Sequence, residues 1–439
     1  MRTAVDAKLL VFERRRARRL AVWNAALWAI GNGLASTTLV IYLARELHAE
    51  RFGLGISLIV AAPQIAGLLR LGAPAMIGRL GNRKQFCLAT FLVSALLLLA
   101  LPWVCSPGRL PTPSWSLAAL IGLWCLYHLL QYLATVALWS WIADLAARPI
   151  RGRFLGRRER WFVAGQAIAA IDAGLFVWGF TAVHPAIHGW MVYAIPACIG
   201  AGFMIAALAP LGLMPTAAMP STIERSATLR SLLKPFGDSR FLRLLLFGCW
   251  FSFFNGVTQS AQNYYPMQIL GISLFLSLAL QTAMRLGQLT VSPRLGALAD
   301  RLGNRPVMIV SQLLVAAGLL FFVAATRAQW PWFIGAWVLW IAYAGLNVCL
   351  PNLMLKLSPE RSNTPYIAAF YAVTGLCYAA STIVGGALLD RYGTGSFDFY
   401  GIHLSFFAYV FVFGWATRSL GALVLTLVHE PRGRRGDER

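Results

Sequence analysis

Arg285 stands in an otherwise apolar run of the 439-residue chain, with Gln281 four residues before it and Gln288 three after. On a helix these three side chains share one face. A guanidinium flanked by two carboxamides is a donor-rich clamp for a carboxylate, a phosphate or another anionic group, because its planar fork meets two oxygens at once. Arg285 lies about 24 Å by helical rise from Arg301, too deep to reach the surface easily. Asp172 is the acidic residue set deep in a second apolar run. It can pair with Arg285, carry a proton, or do each at a different step. Arg70 and Arg418 read as residues that snorkel towards water.

The remaining polar side chains of the apolar runs fall in stripes. Ser252, Asn255, Gln259 and Gln262 follow i, i+3, i+7, i+10 and form one helical face. His128, Gln131 and Thr135 form another, as do Asn24, Trp28 and Asn32, then Tyr371, Thr374, Tyr378 and Ser381, with Tyr343 and Asn347 elsewhere. Amides and aromatic rings together suit a hydroxyl-rich or otherwise polar solute, by hydrogen bonding and ring stacking. Taken singly, each amide can serve as helix–helix glue, worth about 0.6 kcal/mol in a membrane. His128 is a second proton-carrying candidate.

The elements that must position these residues are membrane helices. The chain is 58% hydrophobic and only 12% charged, about half the charged fraction of an ordinary soluble protein. Apolar segments able to cross a core about 30 Å thick lie near 20–44, 53–77, 85–104, 116–142, 161–183, 190–214, 242–267, 271–298, 306–326, 331–356, 365–389 and 402–428. Lys and Arg between them alternate, favouring one side by roughly six to one, which predicts cytoplasmic termini and a multi-pass inner (plasma) membrane protein. The net charge of +22 then follows from loop retention rather than from nucleic acid, and the basic residues before the first segment favour anionic lipid. The seven cysteines are scattered without a C-x-x-C pair, and His184 and His188 flank Pro185 in a short loop. No disulfide framework, metal site, cofactor or catalytic centre is expected from them.

Arg79-Leu80-Gly81-Asn82-Arg83 after the second segment returns as Arg301-Leu302-Gly303-Asn304-Arg305 after the eighth. Leu54-Gly55-Ile56-Ser57 returns as Leu270-Gly271-Ile272-Ser273, and Arg70-Leu71-Gly72 as Arg285-Leu286-Gly287, in the same order. Such repetition is the mark of an internally duplicated six-helix unit. It divides the chain into a basic arm (1–19), a first six-helix bundle (20–214), a polar linker (215–241), a second bundle (242–428) and a tail (429–439). The expected fold is an all-α membrane protein of twelve transmembrane helices in two pseudosymmetric six-helix bundles.

The stretch Gly296-Ala297-Leu298-Ala299-Asp300-Arg301-Leu302-Gly303-Asn304-Arg305 resembles the G-x-x-x-D-R-x-G-R-[RK] loop signature of the major facilitator superfamily, in its prokaryotic, twelve-helix type. Asp144 followed by Arg151-Gly152-Arg153 is similar to another cytoplasmic loop pattern of that family. The first copy of the signature departs from it, with Gly78 at the Asp position. The resemblance implies a transporter acting by alternating access, with helices 1, 4, 7 and 10 around a central cavity. It also implies Arg–Asp pairs in the loops that latch the cytoplasmic side: Arg79, Gly81, Arg83, Asp144, Arg151, Asp300, Arg301, Gly303 and Arg305. A small polar or anionic organic solute is the expected partner, with protons as a candidate coupling ion and a monomer as the working state. No P-loop occurs to supply nucleotide energy. A drug or amphipath exporter of the same fold, or a non-transporting membrane receptor, are the alternatives.

Overall fold

The computed structural model describes residues 11–69, 76, 82–145, 151–183, 189–215, 234–358, 364–393, 395–399 and 402–430. Its long helices are α1 (Val11–Leu34), continued after a break by α2 (Thr37–Arg45), α3 (Phe52–Leu69), α4 (Arg83–Val104), α5 (Pro113–Leu145), α6 (Arg151–Val183) and α7 (Trp190–Ala206), with a short α8 (Leu208–Gly212). After the linker come α9 (Ser239–Tyr264), α10 (Leu274–Leu302), α11 (Asn304–Ala324), α12 (Trp332–Leu339), α13 (Tyr343–Leu357), α14 (Thr364–Tyr392) and α15 (Phe406–Thr426). Their starts are chemically marked. Asn82, Asp238 and Ser405 each accept a backbone N–H of the following turn through a side-chain oxygen, as N-cap residues do. Ser36 does the same for α2, accepting from Leu39 N at 3.3 Å, and so sets the break in the first segment.

Among the described residues, ten helices are long and apolar enough to cross a bilayer. The α3 helix is shorter, and α10, although 29 residues long, carries Arg285, Arg294, Asp300 and Arg301. Large apolar side chains stand exposed in rows, such as Leu92, Val93 and Leu96 on α4 and Val310, Leu313 and Leu314 on α11. A helix whose backbone is satisfied internally can present such rows only to lipid or to another protein surface.

Two features depart from the sequence reading. The basic arm is not separate from the first segment, because α1 is continuous from Val11 through Arg14–Arg19 into the apolar stretch. The chain is also not wholly α: Ser396–Phe399 and Ile402–Ser405 pair as an antiparallel hairpin, β1 and β2, with Asp398 opposite His403.

The chain separates into two compact units. The first comprises residues 1–55, 65–223 and 274–279, the second 56–64, 224–273 and 280–439. In the first, α1 packs on α6 and α7, and α4 on α5. Glycine permits the closest approach: a Cβ on Gly33 would lie 2.5 Å from the Gln166 carbonyl oxygen. In the second, α9 packs on α14 and α15, and α11 on α15. There a Cβ on Gly385 would lie 2.1 Å from the Val257 carbonyl oxygen. Small residues let membrane helices touch backbone to backbone, where dispersion contributes in place of a hydrophobic drive.

Candidate functional site

The polar stripe of α9 meets a cation that the sequence reading left at the surface. Arg418, on α15, is fully buried. Its Nη2 donates to the Asn255 carbonyl at 3.3 Å and to the Thr258 hydroxyl, and Nε reaches the Phe254 carbonyl at 3.5 Å. Tyr343 and Tyr378 both lie within its electrostatic neighbourhood. Nη1 has no hydrogen-bond partner. Arg418 therefore does not snorkel. It threads between α9, α13 and α14, where carbonyls and hydroxyls solvate it in place of a carboxylate. The flanking Gly414 and Gly421, one turn either side, were the available signal, since such small residues mark a packed helix face.

Of the sequence-derived candidates, Asn255, Tyr343 and Tyr378 lie around this buried charge. Asn255, Gln259, Tyr343 and Tyr378 are half-buried, and Asn347 is exposed. Gln262 instead donates to the Thr258 hydroxyl at 2.8 Å within its own helix. Gln281 is half-buried, and Gln288 donates to the Trp340 carbonyl at 3.1 Å, so one arm of the expected clamp is engaged with protein. Arg285 is exposed on α10 in the second unit. Asp172 is exposed on α6 in the first.

In the first unit the candidate residues mostly join helices. The Asn32 side-chain oxygen accepts from Gln166 Nε2 at 2.7 Å. Trp28 is buried, with its ring 4.4 Å from that of Phe91. His128 lies in an aromatic setting, 4.4 Å from Trp124 and 5.9 Å from Tyr132 between ring centroids. Both its ring nitrogens are buried without a well-formed hydrogen bond, and Gln131 is the polar side chain beside them. Among the described residues no three His, Cys, Asp or Glu side chains are grouped to hold a metal ion.

The repeated loop motif does work that its sequence did not reveal. Arg79 and Gly81 lie outside the described residues, Asp144 falls in the last turn of α5, and Arg151 begins α6. Arg83 is buried, while Asp300 and Arg301 are exposed. In the second copy the partner is Glu430, just beyond α15. Its carboxylate accepts from the Arg305 backbone N–H at 3.0 Å and the Asn304 amide at 2.7 Å, and pairs with Lys356 at 2.9 Å. A carboxylate on the first amides of α11 is favoured by the helix dipole. Gly303 holds φ at +95°, and a Cβ there would stand 3.0 Å from the Glu430 carboxylate, so the motif glycine is required twice over. Burial alone would raise the Glu430 pKa, but the Arg305 and Asn304 donors and Lys356 hold it down at about 2. Just after the first copy, Lys84 donates to the carbonyls of Gly212 and Met214 at 2.7 Å each. The chain after the last helix is thus fastened at or beside each motif copy, by a cation on carbonyls in one and a carboxylate on amides in the other.

This helical architecture is that of a multi-pass membrane protein. Residues 264–438 match the family described as Major Facilitator Superfamily. Solved structures share the fold over almost the whole chain. The nucleoside transporter NupG, in a mutant form, aligns with TM-score 0.69 at 14% identity, covering 94% of this chain and 100% of that one. The xylose transporter XylE from E. coli, in an inward-open conformation, aligns with TM-score 0.62 at 16% identity, covering 95% and 97%. An autoinhibited POT family peptide transporter aligns with TM-score 0.68 at 13% identity, covering 96% and 98%. No curated relative matches significantly in sequence.

Proposed function

We propose that the chain is a secondary active transporter that moves a small polar or anionic organic solute across the inner (plasma) membrane by alternating access. In this reading twelve helices span, as six-helix bundles at 20–214 and 242–428, with both termini cytoplasmic and a monomer as the working unit. The observation that carries the solute class is Arg418. A buried cation with one unsatisfied donor lies close to the half-buried Asn255, Tyr343 and Tyr378. Such a face favours a solute with an anionic or oxygen-rich group, since a positive charge in a poorly solvated setting strengthens hydrogen bonding to oxygen atoms near it. Arg285 adds a second anion-binding group and Asp172 a candidate proton carrier.

The test is flux. Purified protein in proteoliposomes should take up members of a panel of organic anions and polyols, and Tyr343→Phe should weaken that uptake. Uptake confined to amphipathic drugs would turn the assignment to an exporter. Solute binding without flux would make the protein a receptor.

A further inference from the structure

In the first unit a groove of about 820 Å³ runs between α1 and α6. One end carries Arg15, Arg18, Arg19 and Arg157, and among the described residues no acidic one lines it. Every other lining residue is apolar. Ala26, Ala164 and Gly165 are the small residues of the lining, and Trp23, Trp161 and Ile168, at its sides, are 65%, 50% and 61% exposed. The close seat of Gly165 on the Ala26 carbonyl, 3.0 Å from where a Cβ would stand, keeps the two helices together behind the groove.

The dimensions limit the occupant. From Arg15 to Ile30 the groove follows α1 for about 22 Å, and half of a hydrocarbon core is about 15 Å. It therefore reaches from the headgroup layer, where the arginines lie, to about the middle of the bilayer. A path for a hydrated solute would present hydrogen-bonding groups along its length, and beyond the arginines the described lining offers only the indole N–H groups of Trp23 and Trp161. The complementary molecule is anionic at one end and hydrocarbon for the rest. We propose that the groove is a binding site for one anionic phospholipid, in the leaflet on the side of the amino-terminal arm. Its phosphate and acidic headgroup sit on the four guanidiniums, which suit phosphate oxygens, and one acyl chain lies between Trp23 and Trp161. The site uses no residue of the proposed solute site, so it stands or falls separately from the transport assignment.

Fluorescence quenching tests it directly. The full chain is reconstituted in phosphatidylcholine containing a minor fraction of either phosphatidylglycerol or phosphatidylcholine with brominated acyl chains, and tryptophan emission is recorded. The expected result is stronger quenching by the brominated anionic lipid. That excess should disappear in Trp23→Phe/Trp161→Phe. It should fall by about fivefold in apparent affinity for each of Arg15, Arg19 and Arg157 changed to Gln, at unchanged helicity and melting temperature, since all three are exposed. Equal quenching by the two lipids overturns the proposal, as does an excess that survives either set of substitutions. Loss of the excess on adding inorganic phosphate at constant ionic strength would reassign the basic end to soluble anions and likewise overturn it.

Discussion

Arg418 is held by the Phe254 and Asn255 carbonyls and the Thr258 hydroxyl. A guanidinium buried without a carboxylate is tolerated only where every available carbonyl and hydroxyl is turned towards it, and removing the network or the charge disturbs both. Arg418→Lys should therefore lower stability by about 2–3 kcal/mol, because a point charge cannot reach Phe254, Asn255 and Thr258 together. Thermal unfolding in detergent reads this, and a wild-type melting temperature would reject the network as described. Tyr343→Phe should leave the melting temperature nearly unchanged while weakening solute binding by about tenfold, the size of one hydrogen bond to a charge-assisted group. Arg285→Gln should weaken binding of an anionic solute, and Asp172→Asn should detach flux from an imposed pH gradient. If the two residues serve only as structural partners, each single substitution lowers the melting temperature and the double substitution restores it.

At the scale of the helix, periodicity specifies which residues share a face but not what that face meets. The stripe on α9 was readable from Asn255 and Gln259, yet Gln262 of the same stripe is bonded to Thr258 and Gln288 of another to the Trp340 carbonyl. Trp28 joined a polar stripe by spacing and lies in the core by packing. The apolar segments were legible because lipid imposes one requirement on every spanning residue. Glu430 was not, since its partners Asn304, Arg305 and Lys356 are remote in sequence and nothing local marks the contact. The β1–β2 hairpin was missed although Phe397, Phe399, Ile402 and Leu404 alternate with polar residues, because a strand pattern of that length is weak beside helices.

The same scale carries two expectations. Gly385→Val should destabilise the α9–α14 pair strongly, as no Cβ fits against the Val257 carbonyl, and its protein should elute from gel filtration as aggregate or fail to accumulate. The Glu430 carboxylate has a folded pKa of about 2, below the roughly 4.3 of an unfolded glutamate. A depressed pKa contributes stability that is complete above the unfolded value and is lost as pH falls towards about 2. The melting temperature of wild type should exceed that of Glu430→Gln near neutral pH, and the gap should close on acidification below about pH 4. A gap independent of pH would show that the carboxylate charge contributes nothing.

For the whole molecule, the proposed topology makes a directional claim. Single cysteines placed in the loop of Arg109 should react with an impermeant maleimide from outside the cell, and those placed beside Arg240 only after permeabilisation. The reverse pattern would invert the protein in its membrane. Repetition in the sequence also has a physical counterpart within each unit, since α1 on α6 and α9 on α14 are both joined by glycines seated on carbonyls.

The two loop motifs end in fastenings of different heritability. Lys84 holds main-chain oxygens of Gly212 and Met214, which persist whatever side chains those positions carry. Glu430 supplies its carboxylate from one side chain, so a single nucleotide change can remove three contacts at once. In a saturation library scored for membrane expression, positions 212 and 214 should accept most residues that keep the helix end intact. Position 430 should accept Asp poorly and other residues hardly at all. Duplicated halves that began alike would in this way have come to differ in how much sequence drift their corners can absorb.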